Sequence, residues 1–368
     1  MRIAYGVHGY GRGHATRVLA LLPALAERHE VRVYAGGDAL EILGRRYPVE
    51  PIPHLAFDYR GARLSRLATF TSNARMLWDL LCRGPACRRM ERRLADFRPE
   101  IAVSDSEPWV LRAAARLGIP TIGLDHVGVI AHCRPRVPLR DRLPLALDAV
   151  AYRLLVGRVD RAVVSSFYDA PPRRPGVTRV APVLRERVLR AEPRWGSHLL
   201  VYFNNGAHLY APHVHAALRS VGRPVVVYGA GRAGYEGNVL FKLIDEAAFV
   251  DDLASCAAVF ATGGHQLISE ALHLRKPILV SPEASAEQRL NAFQVEELGV
   301  GRSIAHARIS PEALMGFLAR CGDYRRALDG LEIRRPARAV DVLESLAREL
   351  VAPAALPGTA REKRGASA

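Results

Sequence analysis

The sequence predicts an α/β protein made of two doubly wound parallel-sheet domains in tandem, facing each other across a cleft. Three observations predict it. Short apolar strands alternate with amphipathic helices along most of the chain, which is the pattern of βαβ units. A glycine-bearing turn follows the opening strand of each half, at 8–13 and again at 204–207. The length of 368 residues, 49% of them hydrophobic, is long for one core and sufficient for two.

A strand over 2–7 opens the chain, and a glycine-rich turn leads to a helix over 15–28. The β-branched and apolar segment 30–34 predicts the next strand, 39–46 a helix and 47–53 an extended piece. Residues 64–97 predict one or two long helices. Arg66, Arg75, Arg83, Arg88, Arg89, Arg92 and Arg93 interleave there with Leu67, Phe70, Leu77 and Trp78. Strand 100–104, helix 109–117 and strand 121–124 resume the alternation, punctuated by Leu117-Gly118-Ile119-Pro120. One further strand falls at 161–165, and the charged stretch 184–198, without strand pattern, carries the interdomain connection.

The second unit predicts strands at 198–203, 224–228, 249–250, 257–261 and 277–280, with helices at 211–221, 264–274, 286–298 and 311–319. An amphipathic segment over 340–350 is predicted to pack back on the first domain. The domains expected are therefore 1–190, 197–335 and a returning helix at 336–351, with 352–368 disordered by its Ala, Pro, Gly and charge content.

Composition narrows the function classes. No apolar run reaches the roughly 18 residues needed to cross a bilayer. The N-terminus lacks a signal-peptide pattern, so a cytoplasmic protein is expected. The five cysteines form no CxxC, which argues against zinc and against a disulfide framework. The net charge of +15 is almost wholly arginine. It reads either as base composition or as attraction to a nucleotide, a membrane surface or nucleic acid.

Four segments carry candidate chemistry. Gly6-x-x-Gly9-x-Gly11-x-Gly13-His14 joins the first strand to the first helix, where glycines permit close backbone approach and the helix terminus attracts anions. It ends in histidine, and the second strand supplies no acidic residue, which argues against a dinucleotide site. His14 is read either as a proton acceptor or as a cap. In Ser104-Asp105-Ser106-Glu107-Pro108, Asp105 and Glu107 are candidates for base work or sugar binding, against a capping role for Ser106. Asn204-Asn205-Gly206 can present N–H groups to phosphate, or be a plain turn. The richest segment is Thr262-Gly263-Gly264-His265-Gln266-Leu267-Ile268-Ser269-Glu270, where helix-terminal N–H groups can hold a diphosphate and Glu270 can hold ribose hydroxyls. Glu287, Gln288 and Asn291 start another helix and are candidates to face a sugar.

The segment FVDDLASCAAVFATGGHQLISEALHLRKPILVSPEASAEQRLNAFQVEELGVG, residues 249–301, resembles the donor half of GT-B glycosyltransferases. These include relatives of the peptidoglycan N-acetylglucosaminyltransferase and the GT1 and GT28 families. GxGRGHxTR and SDxEP resemble the same superfamily. The resemblance implies two Rossmann-like domains and a nucleotide-sugar co-substrate, with no cofactor and no metal. It implies Phe249 and Val250 at the base, Asn205, Gly206, Gly263, Gly264 and His265 at the diphosphate, Glu270 at the ribose, and Glu287 and Gln288 at the sugar. His14 becomes the catalytic base with Asp105 as its rival, and Gly11, Gly13 and Glu107 lie on the acceptor side. The segment 282–286 departs from the peptidoglycan enzyme and leaves the donor sugar open; uridine is expected, with thymidine as the alternative.

The acceptor is open between a lipid-linked molecule and a small natural product. Arginine-rich helices at 64–98 suggest a lipid-linked acceptor or peripheral contact with the anionic inner membrane face, against a plain solvated surface. Nucleic acid is not expected as a partner, since no stacking platform or basic recognition helix is present. The rival functions are a UDP-sugar 2-epimerase of the same fold and a non-catalytic nucleotide-binding module.

Overall fold

The computed structural model describes residues 1–55, 59–60, 63–64, 66–204, 206–331 and 338–352. Asn205, expected at the diphosphate, and the tail from 353 onward, expected to be disordered, lie outside the described residues.

The first domain runs β1 (Arg2–Val7), α1 (Arg12–Ala26), β2 (Glu30–Ala35), α2 (Gly37–Gly44) and β3 (Val49–Pro51). A small hairpin of β4 (Tyr59–Arg60) and β5 (Arg63–Leu64) precedes α3 (Arg66–Leu81) and α4 (Pro85–Phe97). Then come β6 (Ile101–Asp105), α5 (Pro108–Arg116), β7 (Thr121–Asp125), α6 (Gly128–His132), α7 (Arg142–Val156), β8 (Arg161–Ser165) and β9 (Val177–Val180). The sheet order is β3-β2-β1-β6-β7-β8-β9, all parallel. All five residues of β6, Asp105 included, are buried. Covered on both faces by helices, such strands read as apolar runs rather than alternations.

A short helix, α8 (Glu186–Arg190), lies in the connection. The second domain continues with β10 (Leu199–Tyr202), α9 (Gly206–Leu209), α10 (Pro212–Arg219), β11 (Val225–Tyr228), β12 (Gly234–Glu236) and β13 (Val239–Lys242). It then runs through α11 (Glu246–Ser255), β14 (Ala258–Ala261), α12 (His265–His273), β15 (Ile278–Val280), α13 (Ala286–Glu297) and β16 (Gly301–Ser303). Helices α14 (Pro311–Ala319), α15 (Cys321–Gly330) and α16 (Ala339–Val351) end the described chain. The sheet order is β12-β13-β11-β10-β14-β15-β16, parallel except for β12. Along α16, Ala339, Val340, Leu343 and Ala347 complete the core of the first domain beside Leu21 and Leu25.

In each sheet the strand order reverses at the first strand: β1 lies between β2 and β6, and β10 between β11 and β14. Ligands of open α/β sheets bind at such switch points, beyond the carboxyl ends of the strands. The turns after β1, β6, β10 and β14 therefore face one another.

One local expectation is corrected, and two elements are added that the sequence did not predict. Residues 249–250 are not a strand but the middle of α11, whose first turn is capped by Asp245 accepting from the Ala248 N–H. A hairpin, β12–β13, follows β11, where a turn at Gly237 with φ of 61° reverses the chain. Helix α7 occupies a stretch that carried no prediction; four of its apolar residues, Leu143, Leu147, Val150 and Leu154, face outward and blur the usual pattern.

Candidate active site

A cleft of about 980 Å3 separates the domains. Its first-domain wall includes the turn after β1 and the start of α1, and its second-domain wall the start of α12. The two meet closely: a methyl group on Gly13 would lie 3.6 Å from Cβ of Gln266.

The first-domain chemistry follows from strand order. Because β1 and β6 are neighbours, the first turn of α1 sits over the end of β6. His14 Nδ1 lies 2.7 Å from Asp105 Oδ1. The other carboxylate oxygen takes Arg17 Nε at 2.6 Å, and Arg17 Nη2 reaches Oδ1 at 2.8 Å. Arg17 lies one helical turn after His14, so both reach the same carboxylate. A carboxylate only accepts, so Nδ1 carries the proton, and the Nε2 lone pair is left for the cleft that His14 lines.

Asp105 is fully buried and does not line the cleft. Burial alone would raise its pKa, but the Arg17 guanidinium and His14 outweigh burial and hold it at about 2. So enclosed, the carboxylate does not reach the cleft itself, and it holds the His14 imidazole through Nδ1. A folded pKa below the ordinary 3.8 means stability that is present above that value and lost as pH falls toward about 2. The stability gap between wild type and Asp105→Asn should therefore narrow between about pH 5 and pH 2.5, by on the order of 2 kcal/mol. Urea melts across that range check this, and a constant gap would contradict it.

Glu107, expected on the acceptor side, is instead buried and caps α5, its two oxygens accepting from the N–H groups of Trp109 at 2.7 Å and Val110 at 2.9 Å. Burial raises it to about 8, against the pull of those N–H groups. Ser106, the expected cap, has a φ of 55° and donates to Asp125 at 2.8 Å, facing the cleft.

On the opposite wall, α12 begins at Gly264 with no side-chain cap, although Asp245, Ser285 and Ser310 cap α11, α13 and α14. The N–H groups of its first turn have no helical partner and carry the positive end of the helix dipole toward the cleft. Gly264 and His265 line that wall; Gly263 lies behind it, its N–H donating to Gln288 Oε1 at 3.0 Å. Any Cβ on Gly263 would meet the Gln288 carbonyl at 2.6 Å. His265 stacks on His126 at 3.7 Å and near Phe167 at 5.5 Å, and burial keeps it neutral.

Glu270 faces the cleft but is already engaged. Arg185, from the interdomain connection, grips its carboxylate with Nε and Nη2, the first at 2.8 Å, and Gln266 adds a third contact at 3.0 Å. Glu287 lines the cleft, held by Asn291 Nδ2 at 2.6 Å, and burial raises it to about 7 despite that contact. Gln288 also receives the Glu283 N–H at 3.0 Å, so it ties the 282–286 loop to Gly263. Asn291 is fully buried rather than sugar-facing, and binds His126 across the domains at 2.9 Å. Phe249 reaches the cleft and meets Tyr202 edge to face, whereas Val250 points into the core. Gly206 packs against Gly229, and Asn204 takes the cleft position beside Gly11.

Residues 1–322 match the profile of glycosyl transferase family 1. The chain belongs to that family. An uncharacterized glycosyltransferase of Methanosarcina mazei is 26% identical over 390 residues, covering 97% of both chains. Among solved structures, the spinosyn forosaminyltransferase SpnP superposes with a TM-score of 0.68 at 16% identity, over 96% of this chain and 100% of that one. The glycosyltransferase VinC, in complex with dTDP, has a TM-score of 0.63 at 17% identity, over 95% and 99%. The architecture is GT-B, and the chain is a glycosyltransferase.

Several residues of this family 1 glycosyltransferase site escaped sequence reading. Arg17 had a signal, its three-residue spacing from His14 on one helix. His126 had another, since it lies in the turn directly past the carboxyl end of β7, as Ser106 does past β6. Arg185 had none: it lies in a connection without periodicity and meets Glu270 only through the fold.

Proposed function

We propose that the protein transfers the sugar of a pyrimidine nucleoside diphosphate sugar, a UDP- or dTDP-sugar, to an acceptor hydroxyl, without a metal ion, releasing UDP or dTDP. The observation that carries this reading is the pairing across one cleft of a histidine with a free Nε2, backed by Asp105, and an uncapped helix terminus at Gly264. His14 takes the acceptor proton as the hydroxyl attacks the anomeric carbon, and Asp105 supports the imidazolium that forms. The diphosphate leaves against the N–H groups of α12, with Arg12 and Arg185 lining the same space. Phe249 and Tyr202 border the place for the base, and Glu270, released from or shared with Arg185, holds the ribose. Glu287 faces the sugar. Uridine, from the sequence resemblance, and the dTDP held by VinC share a pyrimidine ring.

The acceptor end of the cleft is apolar, lined by Phe70, Leu77, Leu147 and Leu155, which suits a lipid-linked acceptor. Phe70, Trp78 and Leu81 are exposed on α3 among arginines, and this face suits peripheral contact with an anionic membrane from the cytoplasm. Among the described residues no helix is long and apolar enough to cross one.

Calorimetry with UDP, dTDP and GDP, with and without EDTA, tests the donor reading. UDP or dTDP should bind at micromolar concentration, unchanged by EDTA, and GDP more weakly. Preference for GDP would refute the pyrimidine assignment, and binding only with added divalent ion would refute the metal-free one. Incubation with the nucleotide sugar alone should give no epimer.

A further inference from the structure

A second cavity, of about 700 Å3, opens on the far side of α7 from the cleft. Its floor is apolar, built from Ile130, Leu145, Ala149 and Val150 of the first domain and Phe293 of α13. Its rim is arginine: Arg136, Arg142, Arg153 and Arg173 line it, and no acidic residue does. Two of these are fixed from behind. Arg153 donates through Nη2 to the Ala131 carbonyl and Arg173 through Nε to the Cys133 carbonyl, at the end of α6. A guanidinium has five N–H donors, so each keeps most of them for an anion. Arg136 pairs with Glu297 at 2.6 Å, and no ion-pair partner of Arg142 occurs among the described residues.

The groove continues onto an apolar ridge. Leu143, Leu147, Val150 and Leu154 recur along one face of α7, and each is at least half exposed. Val150 belongs to both ridge and groove, and Leu147 to both ridge and cleft. An apolar floor with a cationic rim complements a molecule with an apolar tail and an anionic head. Free phosphate would leave the floor uncovered, and a neutral lipid would leave the arginines unmatched.

We propose that this groove binds one anionic phospholipid of a bilayer, its phosphate between Arg142, Arg153 and Arg173 and an acyl chain along Ile130, Val150 and Phe293. The site shares Ile130 with the cleft wall but lies apart from the α3 face and from α12, and it holds or fails independently of the transfer reaction. Seated there, a lipid would place the ridge of α7, and with it the mouth of the cleft, at the membrane surface.

The test is calorimetric titration of the full chain with a short-chain phosphatidylglycerol below its micelle concentration, beside short-chain phosphatidylcholine and inorganic phosphate. Saturable one-to-one binding of phosphatidylglycerol is expected. It should weaken roughly tenfold or more in the double variant Arg142→Glu, Arg173→Glu, with an unchanged melting temperature. Should that variant fold poorly, Val150→Asp, at an exposed position, should lose binding in the same way. No saturable binding, binding untouched by these variants, equal binding of phosphatidylcholine, or equal binding of phosphate alone would each overturn the proposal.

Discussion

His14→Ala is expected to lower the rate of transfer roughly a hundred- to ten-thousandfold, with UDP affinity unchanged within about twofold. The geometry predicts both halves of that result. The imidazole receives its tautomer from Asp105 at 2.7 Å, and among the described residues no hydrogen bond joins it to α12, the wall proposed to hold the diphosphate. Losing it removes the group that accepts the acceptor proton and leaves the donor pocket intact. Asp105→Asn should also slow transfer strongly, for a different reason. An amide can turn its NH2 toward Nδ1, which moves the imidazole proton to Nε2 and silences the base. It also leaves the Arg17 guanidinium, nearly all buried, without its anion. The two variants separate by stability: His14→Ala should melt close to wild type, and Asp105→Asn well below it. Steady-state kinetics with a competent acceptor and calorimetry with UDP measure the first contrast, and thermal melts the second. A His14→Ala enzyme with full kcat would remove histidine from the chemistry.

The second large effect is at Glu270. Its carboxylate is 1% exposed and paired with an Arg185 side chain that is 14% exposed. Removing one member of a buried pair costs about 3–5 kcal/mol; here Glu246, 3.9 Å from Arg185, remains as a weaker partner and places the cost at the lower end. Glu270→Ala is therefore expected to melt well below wild type and to bind UDP roughly tenfold more weakly or worse, through loss of the ribose contacts. Glu270→Gln keeps the shape and one acceptor oxygen and should fall between the two. The stability that UDP restores to Glu270→Ala should follow RT ln(1 + [UDP]/Kd) at its weakened affinity, and so be smaller than in wild type at the same UDP concentration. Melts with and without UDP, set beside calorimetry, test this. Unchanged UDP affinity in Glu270→Ala would refute the ribose role and leave Glu270 as a structural partner of Arg185.

The donor half was legible because its signals are local. A glycine pair between an apolar strand and a helix, followed one turn later by a glutamate, is a short-range arrangement, and helix geometry alone brings those groups to one mouth. The first-domain turn was legible for the same reason. Phe249 and Val250 show where local reading failed: two large apolar residues suggested a strand, but Asp245 caps a helix that turns one of them to the cleft and the other to the core. Glu107 shows another failure. Its carboxyl was visible in the sequence, but only the burial of β6 and the start of α5 decides that both its oxygens face backbone N–H groups.

By itself the sequence determined the alternation of strands and helices, the two glycine turns and the candidates His14, Asp105, Gly264 and Glu270, because hydrophobic period and helix-terminal chemistry act over a few residues. The tertiary structure alone decided which of them meet. The His14–Asp105 pair spans 91 positions, Arg185–Glu270 spans 85 and His126–Asn291 spans 165. Contacts at such separations depend on strand order and domain apposition, which arise from burial summed over whole faces and leave no mark in any short stretch of chain.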